Sequence, residues 1–409
     1  MAWQCRAFFM KVFSIGLKFL CAFASLREII YLMSKIIVIG CGVVGAAIAY
    51  ELSLMSGLDI TVIEKNAPAS GSTGAALGVL MGAISHKKKG RAWRFRSASL
   101  KRYQTLVPEL EAKTGMKISV NQQGIFKLLF AGDNLEKWHK LKEFRDREGW
   151  DLTIGDRNFV AEHCPQINHR DIIGAVHSPQ DGQINPVELT NALVAAAKAN
   201  GVKFEFGVQV NDFSIRTENE VSTCQHLVTD TGKLEVEQLI ISAGLGSTPL
   251  TKSLQQTIPI RPVLGQAIKL KLDRPLGNLE FQPVISGHDI HLVPLGNNEY
   301  WLGATVEFPT ETGESLADAE LLDKTIEDAI AFCPDLKQAT ILETWSGKRP
   351  RPEGIPAPII KRLAGYENVL LATAHYRNGV LLAPATALEV VQLLSNHLSS
   401  RSKIAGLFN

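Results

Sequence analysis

Residues 35–53 read Lys-Ile-Ile-Val-Ile-Gly-Cys-Gly-Val-Val-Gly-Ala-Ala-Ile-Ala-Tyr-Glu-Leu-Ser, and this stretch decides the fold. It begins with a short, β-branched run that is typical of a strand buried on both faces. Gly40, Gly42 and Gly45 follow at the spacing that turns such a strand directly into a helix. The N-terminus of that helix is suited to hold a phosphate group. The stretch therefore predicts the start of a dinucleotide-binding domain.

A second predicted strand, at residues 59–63, supports this interpretation. It ends at Glu64, which lies 24 residues after Gly40. A carboxylate in this position of a dinucleotide-binding domain accepts hydrogen bonds from the hydroxyl groups of a ribose. The glycine pattern alone is a weak signal, but the two strands and Glu64 make it specific. At this point NAD and FAD are equally suitable ligands.

Length, charge and cysteine content restrict the class of protein. The 409 residues exceed what one hydrophobic core usually serves, so two lobes are expected. The net charge of +2 combines +3 in the first 33 residues with about −1 in the remainder. This balance gives no electrostatic reason to expect a nucleic-acid partner. The six scattered cysteines lack the spacing of a metal or redox site, which favours a reducing, cytoplasmic compartment.

Residues 1–33 precede the first strand and form an N-terminal extension. Lys11, Lys18 and Arg27 interrupt its apolar stretches, so it does not reach the roughly 18 apolar residues needed to span a bilayer. The first interpretation is a mis-assigned start, with Met33 as the alternative, or a loose extension. A membrane-surface helix and a signal peptide cleaved near Ala24 remain as alternatives.

Further along the chain, two kinds of strand alternate. Residues 34–82, 178–260 and 344–400 carry buried strands and helices suited to a parallel sheet. Between them, residues 83–177 and 261–343 carry strands suited to an antiparallel sheet, including 263–272, 288–295 and 300–306. The sequence therefore predicts an α/β, Rossmann-type domain interleaved with a second, α+β domain built on an antiparallel sheet. The cleft between the two domains is the expected site.

Two motifs in the second half of the chain make it similar to a known protein family. Residues 239–246 (Leu-Ile-Ile-Ser-Ala-Gly-Leu-Gly) form a buried strand that ends in small residues. Residues 375–386 read His-Tyr-Arg-Asn-Gly-Val-Leu-Leu-Ala-Pro-Ala-Thr. With the glycine motif and Glu64, these motifs resemble the FAD-dependent D-amino-acid oxidase superfamily, and most closely the glycine oxidases of thiamine biosynthesis. The resemblance covers about residues 34–400, and it is strongest at the two ends.

The resemblance implies a non-covalent FAD cofactor. The C-terminal loop lacks the cysteine that tethers flavin in the similar sarcosine oxidases. The first loop would hold the pyrophosphate, and amides at the start of the last helix would favour negative charge on the reduced flavin. The residues assigned to the cofactor are Gly40, Gly42, Val43, Val44, Gly45, Glu64, Lys65, Ser72, Thr73, Val208, Ala243, Gly244, Asn378, Gly379, Val380, Leu381 and Leu382.

The resemblance also implies where the substrate binds. Arg377 and Arg349 match positions that hold the substrate carboxylate, which a guanidinium fork binds better than a lysine does. Neighbouring Arg351 is a rival for the second position. His291 and Val306 stand where glycine oxidases tend to have Tyr and Met, so the substrate stays open. His291 is assigned to substrate binding, with a core histidine as the equal alternative.

A further departure lies in the C-terminal loop. Ala374 takes the place of the glycine that usually precedes the loop histidine in this superfamily. The change is expected only to tighten the turn. His375 itself is expected to support the loop rather than to act as a base.

The implied reaction is oxidative deamination of glycine, a small amine or a D-amino acid. Hydride passes to flavin N5, and O2 reoxidises the flavin to give H2O2, with a role in thiamine biosynthesis as one expectation. The first alternative is a D-amino-acid dehydrogenase that passes electrons to a quinone or carrier. The second is a flavin-containing assembly or binding protein without turnover. No metal motif is present, membrane contact is not favoured, and a homo-oligomer is left open.

Overall fold

The computed structural model describes residues 33–310 and 313–405, so the predicted N-terminal extension lies outside the described residues apart from Met33. The helices are α1 (Val43–Ser53), α2 (Gly90–Thr114), α3 (Leu135–Arg147), α4 (Arg157–His163), α5 (Pro186–Ala199), α6 (Ser247–Ser253), α7 (Ala319–Phe332) and α8 (Gly379–Ala405). The strands are β1 (Ser34–Ile39), β2 (Leu58–Glu64), β3 (Val79–Leu80), β4 (Val120–Asn121), β5 (Ile125–Phe130), β6 (Thr153–Asp156), β7 (Ile172–Ser178), β8 (Gly182–Ile184), β9 (Lys203–Phe206), β10 (Val210–Glu218), β11 (Val221–Thr229), β12 (Lys233–Glu235), β13 (Gln238–Ile241), β14 (Ile260–Lys271), β15 (Val284–Gly287), β16 (Ile290–Gly296), β17 (Glu299–Gly303), β18 (Thr340–Pro352), β19 (Ile359–Arg362) and β20 (Val369–Thr373).

A six-stranded sheet in the order β19-β20-β13-β1-β2-β9 contains the predicted first strand near its centre. All of its neighbouring pairs are parallel except β19 with β20. Ile36 and Val38 pack into a core shared with α1, α5 and α8, whereas Ile37 and Ile39 face a core shared with the small sheet β10-β11-β12. Both faces of β1 are therefore buried, as the uninterrupted apolar run predicts.

The second large sheet has eight strands in the order β18-β14-β17-β16-β15-β5-β7-β6. Its neighbouring strands are antiparallel except for the parallel pair β15 and β5. One face packs with α4 and α7 around Phe126 and Phe332. The other face packs around Ile125, Leu77 and Val293. The parallel sheet with this antiparallel sheet confirms the predicted α/β fold class.

Three segments differ from the sequence prediction. β16 begins at Ile290 rather than at 288, because His288 and Asp289 form a tight turn with φ of 47° and 65°. This turn joins β16 to β15, a four-residue strand too short to show alternation. The strand predicted at 300–306 ends at Gly303.

The third difference concerns the return to the parallel sheet, predicted at residue 344. β18 pairs along its whole length with β14 in the antiparallel sheet, up to Pro352 opposite Ile260. Because β18 is an exposed edge strand, its apolar residues do not alternate in the manner of a buried strand. We therefore propose that the chain returns to the cofactor side after Pro352.

The C-terminal helix is the one described segment that is long and apolar enough to cross a membrane, over Tyr376–Ser399. Half of that segment is buried inside the protein. Its residues Leu382, Val390 and Leu394 belong to the core shared with α1 and β1. The helix is therefore accounted for by packing within the fold.

The loop after β3 is held from two sides. Asp181, only 3% exposed, accepts hydrogen bonds from the amides of Gly82, Ala83 and Ile84 at 2.7–2.8 Å. From the other side, buried Arg145 donates to the carbonyl oxygens of Ala83, Ser85 and Lys87 at 2.7–3.0 Å. These bonds fix a stretch of backbone that leads into the cavity described below.

Replacing Asp181 by alanine is expected to lower the free energy of unfolding by about 3 kcal/mol, because it leaves buried amides without acceptors. Asp181→Asn should cost less, since one oxygen can still accept. Urea unfolding measures both, and Asp212→Ala, at an exposed carboxylate, serves as the control with an expected change within about 0.5 kcal/mol. Equal loss in Asp181→Ala and Asp212→Ala would contradict the assigned role.

Candidate active site

The loop between β1 and α1 requires glycine for steric reasons. Gly40 has φ of +102°, and a Cβ there would lie 2.6 Å from the carbonyl oxygen of Ser242. A Cβ on Gly45 would lie 2.0 Å from the carbonyl oxygen of Gly40. Gly42 is the N-cap of α1 and no side chain caps it. The first amides of α1 have no partner within the helix, so this end is suited to a phosphate group.

Two side chains are anchored to this loop. Glu64 accepts a hydrogen bond from the amide of Cys41 at 2.8 Å and another from the amide of Asn66 at 3.0 Å. Thr73 Oγ1 accepts from the amide of Val43 at 3.1 Å. The Glu64 carboxylate is therefore fixed beside the glycine loop, where a ribose would meet it.

One continuous cavity of about 1930 Å³ runs from this loop to the C-terminal loop. That volume exceeds the 300–1,000 Å³ or so of an ordinary small-molecule pocket. Gly45, Leu381 and Leu382 lie outside its wall, in the packed core. The cavity wall includes the other residues predicted for the cofactor: Gly40, Gly42, Val43, Val44, Glu64, Lys65, Ser72, Thr73, Val208, Ala243, Gly244, Asn378, Gly379 and Val380.

The C-terminal loop has an unusual backbone. Ala374 and Tyr376 have φ of 56° and 54°, a region that costs a non-glycine residue about 1 kcal/mol. Ala374 therefore occupies a conformation that favours glycine. After one short turn, α8 begins at Gly379, and Gly379 and Val380 line the cavity, so the first turn of α8 lies at the cavity wall.

His375 lies under this loop with its ring buried. Its Nε2 is 2.8 Å from Thr386 Oγ1 on α8. Burial, with a smaller contribution from Arg91, lowers the pKa of His375 to about 3. The ring is therefore neutral at pH 7 and ties the loop to the helix.

This buried histidine predicts a loss of stability in acid. Its pKa is about 3 when folded against 6.5 as the ordinary value, so the unfolded chain binds more protons between these pH values. Stability should therefore fall as the pH drops below 6.5, and the contribution of His375 is about 2 kcal/mol by pH 5. Urea unfolding from pH 7 to 5 should show a shallower fall for His375→Asn. His139→Asn, at an exposed ring, should keep the wild-type slope, and an unchanged slope in His375→Asn would refute the prediction.

Arg349 and Arg377 both line the cavity at the C-terminal loop. Arg349, on β18, donates to the carbonyl oxygen of Leu264 at 2.8 Å. Burial lowers its pKa, and the nearby Arg377 lowers it further. Arg351 is exposed, lies over the ring of Phe308 at 5.2 Å and does not line the cavity. Of the two rivals, only Arg349 is therefore placed beside Arg377.

His291 lines the same end of the cavity, on β16. Its Nδ1 is buried and has no hydrogen-bond partner. Burial lowers the pKa of His291 to about 4, with Arg377 and Lys127 adding to the effect. The ring is therefore neutral and offers one unused polar atom. Val306 does not line the cavity.

The structure adds contacts that the sequence analysis did not predict. Asp289 forms an ion pair with Arg377 at 3.6 Å and is 78% exposed. Trp345 on β18 donates to the carbonyl oxygen of Ala75 at 3.1 Å, and Ser72 Oγ donates to the carbonyl oxygen of Lys348 at 2.6 Å. No sequence motif marks these contacts, because each joins segments far apart in the chain.

A family model described as FAD dependent oxidoreductase matches residues 35–393. The chain belongs to that family. The match confirms the predicted superfamily, the FAD cofactor and the class of oxidoreductase. The glycine cradle, the fixed carboxylate of Glu64 and a cavity of dinucleotide size fit this cofactor. Among the described residues, no group of three His, Cys, Asp or Glu is placed to hold a metal ion.

Individual relatives agree with the family. A glycine oxidase from Geobacillus kaustophilus is 26% identical over 87% of this chain and 92% of its own length. A bifunctional protein ThiO/ThiG from a Nostoc species is 29% identical over 88% of this chain, which spans about half (52%) of that relative. Among solved structures, a glycine oxidase from Bacillus cereus superposes with a TM-score of 0.77 at 26% identity, covering 89% of this chain and 95% of the other.

Proposed function

We propose that this protein oxidises glycine, or another small amine that carries a carboxylate, to an oxo acid and ammonia. For glycine, the amine, water and O2 give glyoxylate, ammonia and H2O2. The observation that carries the proposal is the placement of Arg349 and Arg377 at one end of a cavity whose other end is the glycine loop. The relatives named glycine oxidase, at 25–28% identity, support this choice of substrate.

The residues at the substrate end would act by binding and orientation. Arg349 and Arg377 would hold the carboxylate, and the burial of Arg349 strengthens that interaction. When bound, FAD supplies the two-electron acceptor for oxidation of the carbon–nitrogen bond. A substrate held at its carboxylate presents Cα in one fixed position, which is a large source of rate acceleration.

The surrounding side chains would exclude water from the site and would not protonate the substrate amine. Trp301 and Trp345 pack edge to face at 6.0 Å in the cavity wall. Neither His291 nor His375 carries a charge at pH 7. Loss of hydride from Cα needs the lone pair of an unprotonated nitrogen, so the substrate is expected to react as the neutral amine, and the imine that forms is hydrolysed by water.

Anaerobic mixing of the purified holoprotein with an amine panel tests this proposal. Glycine is expected to bleach the flavin absorbance, with sarcosine and D-alanine as further members of the panel. Admission of O2 should then restore the absorbance and produce H2O2. Reduction by glycine without reoxidation by O2 would favour the dehydrogenase alternative. A flavin that no amine reduces would favour the binding or assembly protein.

We further infer a cytoplasmic location from the scattered cysteines and a role in thiamine biosynthesis from the family resemblance. An oligomer of identical chains stays an open expectation. Size-exclusion chromatography with light scattering measures the oligomeric state directly.

A further inference from the structure

A row of three polar side chains crosses the antiparallel sheet at the substrate end. Lys127 on β5 is paired with Ser286 on β15, and Ser286 is paired with His291 on β16. Directly paired residues on neighbouring strands project to the same face of a sheet. The three strands span about 10 Å, which the long lysine side chain can cross in large part. Lys127, Ser286 and His291 form the polar row.

The polar row lies on the cavity side of the sheet. Ile125 and Leu129, which flank Lys127 at alternate positions of β5, pack with Val293 and Trp345. The intervening residues of β5 face the opposite core around Phe332. His291 lines the cavity, whereas Ser286 and Lys127 do not, so the row runs from the cavity wall into the protein behind it.

The polar atoms of the row have no partner within the described protein. Ser286 is 1% exposed, and its Oγ makes no hydrogen bond. His291 Nδ1 is also buried without a partner. Lys127 forms no ion pair among the described residues, although Asp289 and Asp133 are near enough to oppose the lowering of its pKa by burial. Unpaired buried polar groups are costly, so adjacent ones indicate a ligand.

The charged side chains around the polar row indicate which kind of ligand group would bind there. Arg349 and Arg377 are sufficient for one carboxylate, and Lys127 adds a third cation on the same side. A lysine, a hydroxyl and a neutral imidazole can together donate to the oxygens of a second carboxylate. The nearby carboxylates of the protein have other partners. Asp289 is exposed and pairs with Arg377, and Glu307 lies near Arg349 but accepts hydrogen bonds from Gln266 and Thr305.

We propose that the polar row is a second carboxylate subsite and that dicarboxylic amines are the preferred substrates of this protein. The first carboxylate would lie on Arg349 and Arg377, and the second would extend along the sheet toward Lys127. Compounds of this class include iminodiacetate, D-aspartate and D-glutamate. The inference rests on the proposed function, since it selects among the amines that the same site would oxidise.

Binding of unreactive acids tests the subsite without turnover. Acetate, propionate, malonate and succinate are titrated into the holoprotein, and the change in flavin absorbance gives each Kd. A dicarboxylate is expected to bind at least about tenfold more tightly than the monocarboxylate of similar length. Lys127→Met should remove that advantage, and Ser286→Ala should reduce it, with FAD content and melting temperature checked for each variant.

Lys271→Met is the matched control, because Lys271 lies on the same sheet but pairs with Glu299 outside the cavity. It should keep the full advantage. Reduction kinetics should agree, with kcat/KM higher for a dicarboxylic amine than for glycine and the ratio lowered by Lys127→Met.

The two proposals fail in different ways. If glycine reduces the flavin but dicarboxylates bind no better than monocarboxylates, the subsite is refuted and the proposed function stands. The same holds if Lys127→Met and Lys271→Met behave alike. If neither glycine nor any dicarboxylic amine reduces the flavin, the proposed function itself is refuted.

Discussion

Arg377→Ala is expected to lower kcat/KM for glycine by about a thousandfold while FAD stays bound. Truncating one partner of a buried, hydrogen-bonded charge pair costs about 2–5 kcal/mol, and this loss would fall on the bound carboxylate. Arg377 is 33% exposed without substrate, and its ion pair with exposed Asp289 is weak. A substrate carboxylate can therefore replace Asp289 at small cost. Stopped-flow reduction of the flavin under anaerobic conditions measures the effect.

Two further variants sharpen this experiment. Arg377→Lys keeps the charge but loses the planar fork, so an intermediate loss of about 10- to 100-fold is expected. Arg351→Ala removes an exposed arginine on the same strand as Arg349 and should leave the kinetics unchanged. The assigned role would be wrong if Arg377→Ala reduced the flavin as fast as Arg351→Ala does.

Gly45→Ala is expected to abolish FAD binding and to destabilise the fold by about 3 kcal/mol or more. The added methyl group would lie 2.0 Å from the carbonyl oxygen of Gly40, and this neighbour is backbone that cannot rotate away. Either α1 moves off β1 or the glycine loop changes shape, and overpacking of this kind is costly. FAD content after purification and the melting temperature of the apoprotein measure the two effects separately.

Gly57→Ala is the control for this substitution. A Cβ on Gly57 meets no atom within 4 Å, but the residue has φ of +77°. The cost should therefore be the backbone strain of about 1 kcal/mol, with FAD retained. Retention of FAD by Gly45→Ala at the level of Gly57→Ala would show that helix and strand do not need this close approach.

The parts of the fold that the sequence predicts well are local. β1 is uniformly apolar and β-branched, and the glycines after it follow a spacing that steric contact requires. The same holds for the start of α8 at Gly379, which follows a buried strand and a short loop. In each case the physical reason lies within a few residues, so the pattern is visible in the chain.

The parts that the sequence misses are set by distant contacts. The turn at His288 and Asp289 follows Gly287 and contains an aspartate, both turn residues, but the sequence analysis placed it within a strand. This turn places His291 beside Ser286. The sequence of β5 does not indicate that Lys127 belongs to a site, because its position in the polar row depends on a parallel pairing with β15. The site assignments for Arg377, Arg349 and His291 stay predictions until variants are measured.

The edge strand β18 also connects the two ends of the cavity through hydrogen bonds. The strand carries Arg349. Trp345 and Lys348, on the same strand, hydrogen-bond to the loop that contains Ser72 and Ala75 beside the glycine motif. A ligand that orders this loop therefore also orders the strand that carries the carboxylate-binding arginine. By thermodynamic linkage, dinucleotide and carboxylate should then each raise the affinity of the other, so the protein would hold its cofactor most tightly while it is at work on a substrate.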